Sequence, residues 1–148
     1  MTLLEGSISL PGGYIAVFDP LTLSVPGSLD FSADWTSPNN DIDIAVADGV
    51  CSSDQLSVGA CTFAGIEQSE TLKPEQLTLA LSAAIYTPLI GNFTSPTETI
   101  SYLVRFTPSA SASAGDVLNL SAATAARLHA SPRVIPAGGG FWTKAPGR

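Results

Sequence analysis

Apolar and polar residues alternate with a period of two at several places along the chain. Leu29, Phe31, Ala33 and Trp35 are apolar, while Asp30, Ser32 and Asp34 between them are polar. Successive side chains of a strand point to opposite faces, so this segment reads as a half-buried β-strand. Thr36, Ser37, Pro38, Asn39 and Asn40 follow as a run of turn formers. Ile42, Ile44 and Val46 make a second stripe, ended by Asp48 and Gly49. Ile100, Tyr102, Val104 and Phe106 make a third, closed by Pro108. Fainter strand patterns cover 7–10, 14–18, 22–25, 60–64, 76–81, 84–90 and 117–121. A helical pattern is confined to 121–130, which is rich in alanine and lacks a wide apolar face.

Short strands separated by Pro, Gly and Asn predict antiparallel sheets packed face to face. The expected fold is all-β: an antiparallel, jelly-roll-like β-sandwich with an extended C-terminal tail. Composition supports this. Hydrophobic residues make up 45% of the 148, enough for a core, whereas charged residues are only 13%, about half the usual share. The polar surface is therefore built largely from Ser, Thr, Asn and Gln. Residues 1–106 are expected to form the sandwich. Residues 107–148 differ: Ser and Ala alternate over 109–114, and three glycines at 138–140 precede Phe141 and Trp142. Two readings of this Ala/Ser/Gly-rich extension stand. Either Phe141 and Trp142 dock on the domain or on a neighbour, or the end is disordered.

The net charge of −7 is unevenly placed. Residues 1–75 hold eleven acids and one base, Lys73, while Arg127, Arg133, Lys144 and Arg148 lie near the end. An acidic body argues against nucleic acid as a partner, because phosphate binding needs clustered Lys and Arg. No apolar run reaches the ~20 residues that a membrane span needs. Met1 to Glu5 has neither a basic segment nor a long apolar stretch, so export implies a mature segment behind an added Met1. Cys51 and Cys61 sit near turn residues rather than inside apolar runs. That favours a disulfide in an oxidising, extracellular compartment over two buried thiols in a reducing one.

A catalytic apparatus is not expected. The single histidine, His129, lies in the tail, and no serine sits in a Gly-x-Ser-x-Gly elbow. One histidine and a cysteine pair with the wrong spacing do not make a zinc knuckle. Asn92-Phe93-Thr94 and Asn119-Leu120-Ser121 match glycosylation acceptors.

The segment from about Pro26 to Phe106 resembles the bacterial pre-peptidase C-terminal domain. The matching features are the turn Val25-Pro26-Gly27-Ser28-Leu29 and the strand Phe31 to Trp35. They continue with Asn40-Asp41-Ile42-Asp43-Ile44, the stretch Ala83-Ala84-Ile85-Tyr86, Asn92, and Ser101-Tyr102-Leu103-Val104. Ala84 departs from the family's usual glycine, and the cysteine loop and long tail are extra. The resemblance implies an exported jelly-roll-like sandwich that accompanies a secreted protein.

Paired as a hairpin, with Trp35 beside Ile42, the first two stripes would set Asp34 opposite Asp43. Like charges directly opposed across strands destabilise the pair, and Ca²⁺ would relieve this by taking several oxygen ligands. Asp34, Asn40, Asp41, Asp43 and Asp48 form the candidate Ca²⁺ set. Some members of the resembled family bind Ca²⁺; a plain solvated acidic face is the alternative. Two functional classes follow. One is a non-catalytic extracellular accessory or adhesion module that binds a surface, a polysaccharide or a protein partner. The other is a structural subunit of a filament, coat or virion surface, self-assembled through its C-terminal tail.

Overall fold

The computed structural model describes residues 1–69, 73–110, 113, 115 and 131–137. Two antiparallel sheets face each other. The first contains β1 (Thr2–Leu10), β9 (Glu98–Pro108), β4 (Gly27–Trp35) and β7 (Glu75–Leu81), in the order β1-β9-β4-β7. The second runs β10-β2-β8-β5-β6, built from β10 (Arg133–Pro136), β2 (Tyr14–Val17), β8 (Ile85–Asn92), β5 (Ile42–Asp48) and β6 (Phe63–Glu67). β3 (Leu21–Thr22) pairs with β8 beyond β2. Strands from opposite ends of the chain pair, first with ninth and second with eighth, so the sheets wrap as a jelly roll. This is the antiparallel sandwich that the alternation predicts.

The three clear stripes fill the space between the sheets. Leu29, Phe31, Ala33 and Trp35 of β4 meet Ile42, Ile44 and Val46 of β5 and Ile100, Tyr102, Val104 and Phe106 of β9 in one buried cluster. Phe18 packs edge-on against Tyr102, with ring centroids 4.8 Å apart. Gly6 of β1 makes room for that tyrosine: a Cβ there would lie 2.6 Å from the Tyr102 hydroxyl oxygen.

The second sheet is apolar on its outer face as well. Ile15, Val17, Ala45, Ala47 and Leu89 form a separate buried cluster there with Cys51 and Leu56. Burial on both faces explains why β2 and β8 read as near-continuous apolar runs rather than alternation. The cover at one end of this face is the loop closed by Cys51 and Cys61, which are joined as a disulfide with Cα atoms 5.7 Å apart. Within it lies α1 (Ser53–Ser57), which plants Leu56 on the sheet. Ser52 caps α1: its Oγ accepts from the Gln55 N–H at 3.2 Å, and the Gln55 Oε1 accepts from the Ser52 N–H at 2.9 Å. The Cys51 N–H donates to Thr87 Oγ1, whose hydroxyl donates to the Gly49 carbonyl, tying the loop to β8.

Several expectations shift. The strand expected over 60–64 begins at Phe63, because 51–61 is spent on the loop. The one expected over 22–25 shortens to β3, after Pro20 interrupts the run along β8. From beyond residue 106 the sandwich draws one more strand, β10, laid antiparallel on β2 from Arg133 opposite Val17 to Pro136 opposite Tyr14. The patterns over 117–121 and 121–130 lie outside the described residues.

Asn92 is fully buried and spends its whole amide. Its Nδ2 donates to the carbonyls of Leu10 and Pro96, both at 2.9 Å, and its Oδ1 accepts from the N–H and the hydroxyl of Thr94. It ties the end of β8 to the end of β1, so this asparagine is a structural clasp and not a glycan acceptor. Asn119 lies outside the described residues.

Removing the Cys51–Cys61 bridge tests how much the loop matters. Cys51→Ala with Cys61→Ala is expected to lower the unfolding free energy by about 3 kcal/mol from loop-closure entropy. Urea denaturation at matched pH measures it.

Candidate functional site

The structure separates the residues expected to hold Ca²⁺. The run from Thr36 to Asn40 is not a hairpin turn; it carries the chain from β4 in one sheet to β5 in the other. β4 pairs with β7 and β9, and β5 pairs with β6 and β8. Asp34 therefore points outward from the first sheet and lies opposite Ser101. Asp43 is buried on the outer side of the second sheet, opposite Gly91. The facing sheets are themselves ~10 Å apart, so these carboxylates share no ion. Asn40 donates from its amide to the Glu98 carboxylate, and Glu98 also accepts from the Thr36 N–H at 3.1 Å. That pair latches the crossover to the start of β9. Asp41 is buried at the crossover's end, and Asp48 is exposed at the far end of β5. Among the described residues no group of three or more acidic, Cys or His side chains is placed to hold a metal. Phe141, Trp142 and His129 lie outside the described residues.

Lys73 takes the place by Asp34 that a metal was expected to fill. Its Nζ lies 2.8 Å from Asp34 Oδ1 and 5.8 Å from the centroid of the Trp35 ring. The hydrogen bond from Lys73 holds the Asp34 carboxyl below its usual range; partial burial opposes this, while the Trp35 N–H and the Lys73 charge add to the lowering.

Among the described residues, the open surface is the outer face of the first sheet. Strand register lays its side chains out in rows across β7, β4, β9 and β1. One row is Thr78, Asp30 and Arg105. The next is Gln76, Ser32, Leu103 and Glu5, and the third is Asp34, Ser101 and Ser7. Neighbouring shallow depressions run along these rows. The largest, about 290 Å³, is lined by Asp30, Ser32, Gln76, Thr78, Leu103 and Arg105 among others. A second of about 220 Å³ adjoins it around Asp34 and Ser101, and a third of about 240 Å³ lies by Thr36 and Thr99. In the largest, the Thr78 hydroxyl donates to Asp30 Oδ1 at 2.7 Å. The trough thus carries a carboxylate, a guanidinium, an amide and two hydroxyls, with Leu103 as its aliphatic patch. Part of it was readable, since Asp30 and Ser32 share one face of a predicted strand. Gln76, Thr78 and Arg105 come from strands more than forty residues away and carry no local signal that would place them there.

Fold and face together define a jelly-roll β-sandwich with one covered sheet and one open polar sheet. The sequence matches no protein-family model and no curated protein. Among solved structures the chain is similar to the Yersinia pseudotuberculosis-derived mitogen, at 14% identity and a TM-score of 0.50 over 76% of this chain and 90% of that one. It also aligns with a carbohydrate-binding module from Cellvibrio mixtus lichenase 5A, solved in complex with cellotriose. There the identity is 12% and the TM-score 0.42, over 72% of this chain and 90% of that one. The likeness to the mitogen is one of fold.

Two outcomes follow. Ca²⁺ at millimolar concentration is expected to leave the melting temperature unchanged, since binding to the native state alone would raise it; differential scanning calorimetry decides. Asp34→Asn is expected to lower stability at neutral pH by a fraction of the ~0.2–1 kcal/mol seen for exposed pairs. A depressed folded-state pKa stabilises above the unfolded value and ceases to do so as pH falls through the folded one. The gap between variant and wild type is therefore expected to close below about pH 4, as chemical denaturation across pH would show.

Proposed function

We propose that this chain is a non-catalytic binding module that acts outside the cell and holds a polysaccharide along the outer face of its four-stranded sheet. The supporting observation is two adjacent rows of hydrogen-bonding side chains, exposed Asp30, Gln76, Thr78 and Arg105 with half-buried Ser32, that line one trough. Sugars present many hydroxyls, each both a donor and an acceptor. The trough offers both kinds of partner. A protein partner is a poorer fit, because the core of a protein interface is depleted of charge and enriched in aromatic residues. Among the described residues the trough's aliphatic surface comes from the half-buried Leu103, and the aromatic Phe31 and Tyr102 turn inward to the core. A polyanion is disfavoured by the net charge of −7. The Cys51–Cys61 disulfide supports an oxidising compartment. An accessory role beside another secreted domain is what the resemblance to pre-peptidase C-terminal domains implies.

The competing class, a self-assembling subunit, has one observation in its favour. β10 comes from beyond residue 106 and adds to a sheet edge, and a strand so placed can pair with a neighbour's β2 as with its own.

Affinity electrophoresis through gels of soluble polysaccharides tests the proposal. Retardation by at least one polysaccharide is expected. Arg105→Ala is expected to weaken it roughly tenfold, the size of a lost charged hydrogen bond. Asp54→Ala, on α1 of the other sheet, is expected to leave it unchanged. No retardation in any gel overturns the proposal. A concentration-dependent mass in light scattering that Ile135→Asp abolishes would then favour the assembling subunit.

A further inference from the structure

We infer that Asp30 and Arg105 form a subsite that reads a vicinal diol of a neutral sugar. This rests on the proposed polysaccharide binding and names the chemistry of the ligand. The register sets Asp30 directly across from Arg105 on β9 and from Thr78 on β7. The Thr78 hydroxyl is bonded to one carboxylate oxygen of Asp30. That bond holds the carboxylate in place and leaves the second oxygen to accept from a ligand. Arg105 makes no ion pair among the described residues, and its side chain lines the same depression. Its guanidinium fork is thus available to donate.

The two groups are complementary in one respect. A guanidinium only donates hydrogen bonds, and an ionised carboxylate only accepts them. Two adjacent hydroxyls need both, because each must give its proton to an acceptor and take one from a donor. Side by side, Arg105 and Asp30 supply that pairing. A uronate or sulfate group only accepts. It would satisfy Arg105 while lying against the Asp30 carboxylate, and Glu5 stands on the same face one row away. An amino sugar's ammonium only donates, and would lie against Arg105. Of the three ligand types, the neutral diol leaves neither residue facing a like charge. Leu103 of the same trough can meet the C–H surface of the ring, and Gln76 and Ser32 continue the polar row alongside.

Linkage chemistry separates diol recognition from sugar binding in general. A 1,4-linked glucan keeps the adjacent hydroxyls at C2 and C3, whereas a 1,3-linked glucan has none along its chain. Periodate cleaves vicinal diols and spares isolated hydroxyls. Isothermal titration of the full chain is run against soluble 1,4-linked and 1,3-linked glucans, a periodate-oxidised and borohydride-reduced 1,4-linked glucan, and polygalacturonate. The 1,4-linked glucan is expected to bind at least tenfold more tightly than the other three. Asp30→Asn is expected to weaken it about tenfold and to raise binding of polygalacturonate; Arg105→Gln is expected to weaken both. Both positions are exposed, and a melting temperature within a few degrees of wild type confirms that each variant is folded. Equal binding of intact and periodate-treated glucan overturns the diol inference. Tighter binding of polygalacturonate by the wild type, a ligand that keeps the C2–C3 diol and adds a carboxylate, overturns the preference for a neutral sugar. Either result leaves polysaccharide binding standing. Failure of every polysaccharide to bind removes the function proposed above, and the subsite with it.

Discussion

Burial of the second sheet on both of its faces is the constraint that organises this molecule. β5 alternates Ile42, Ile44 and Val46 toward the sandwich interior with Ala45 and Ala47 toward the other side, and both sets are buried. A sheet with two apolar faces needs a second cover. In a chain this short, part of that cover comes from a loop of ten residues' separation closed by a disulfide. The loop has little core of its own: Leu56 and Cys51 are its buried contributions. Closing it covalently reduces the entropy lost on ordering it, so that two small apolar anchors suffice to hold it on the sheet. Thr87 supplies the remaining polar link between loop and sheet.

That asymmetry also decides which sheet face is left to solvent. With the outer face of β2, β8 and β5 closed over, the outer face of β1, β9, β4 and β7 is the broad sheet surface left to solvent among the described residues. Its composition follows from the same economy of charge that runs through the whole chain. Ser, Thr and Gln fill positions where many proteins carry Lys and Glu, so the face can form hydrogen bonds without strong repulsion or attraction of its own. Its Asp34–Lys73 pair is self-neutralising, which leaves Asp30, Arg105 and Glu5 as the charges that can discriminate among ligands.

How far the sequence foretold this depends on the range of the interaction concerned. The stripes on β4, β5 and β9 are local, recur every second residue, and mark the sandwich core correctly. β2 and β8 were faint because double burial erases alternation. α1 is five residues long, and its clearest local mark is the capping pair Ser52 and Gln55. β10 is short, ends at Pro136 and follows Pro132, so nothing in its pattern distinguishes it from a loop. The candidate Ca²⁺ set rested on a hairpin between β4 and β5, which the register does not contain. Thr36 to Asn40 has the residues of a turn, but turn residues do not say whether the next strand pairs with the last or crosses to the opposite sheet. The wider polar face depends on pairing between strands far apart in the chain, which no local pattern records.

Among the described residues this face shows no exposed aromatic, so on the proposed reading it obtains affinity differently from a stacking platform. Short Ser and Thr side chains have few rotamers to lose, and the Thr78–Asp30 bond has already restricted the carboxylate. The residues stand on four hydrogen-bonded strands at fixed spacing, so little reorganisation is needed when a ligand arrives, and that is where preorganised sites gain affinity. On the proposed reading, Asp30, bonded to Thr78 and set across from Arg105, is the place on this face where the charge of a ligand is read.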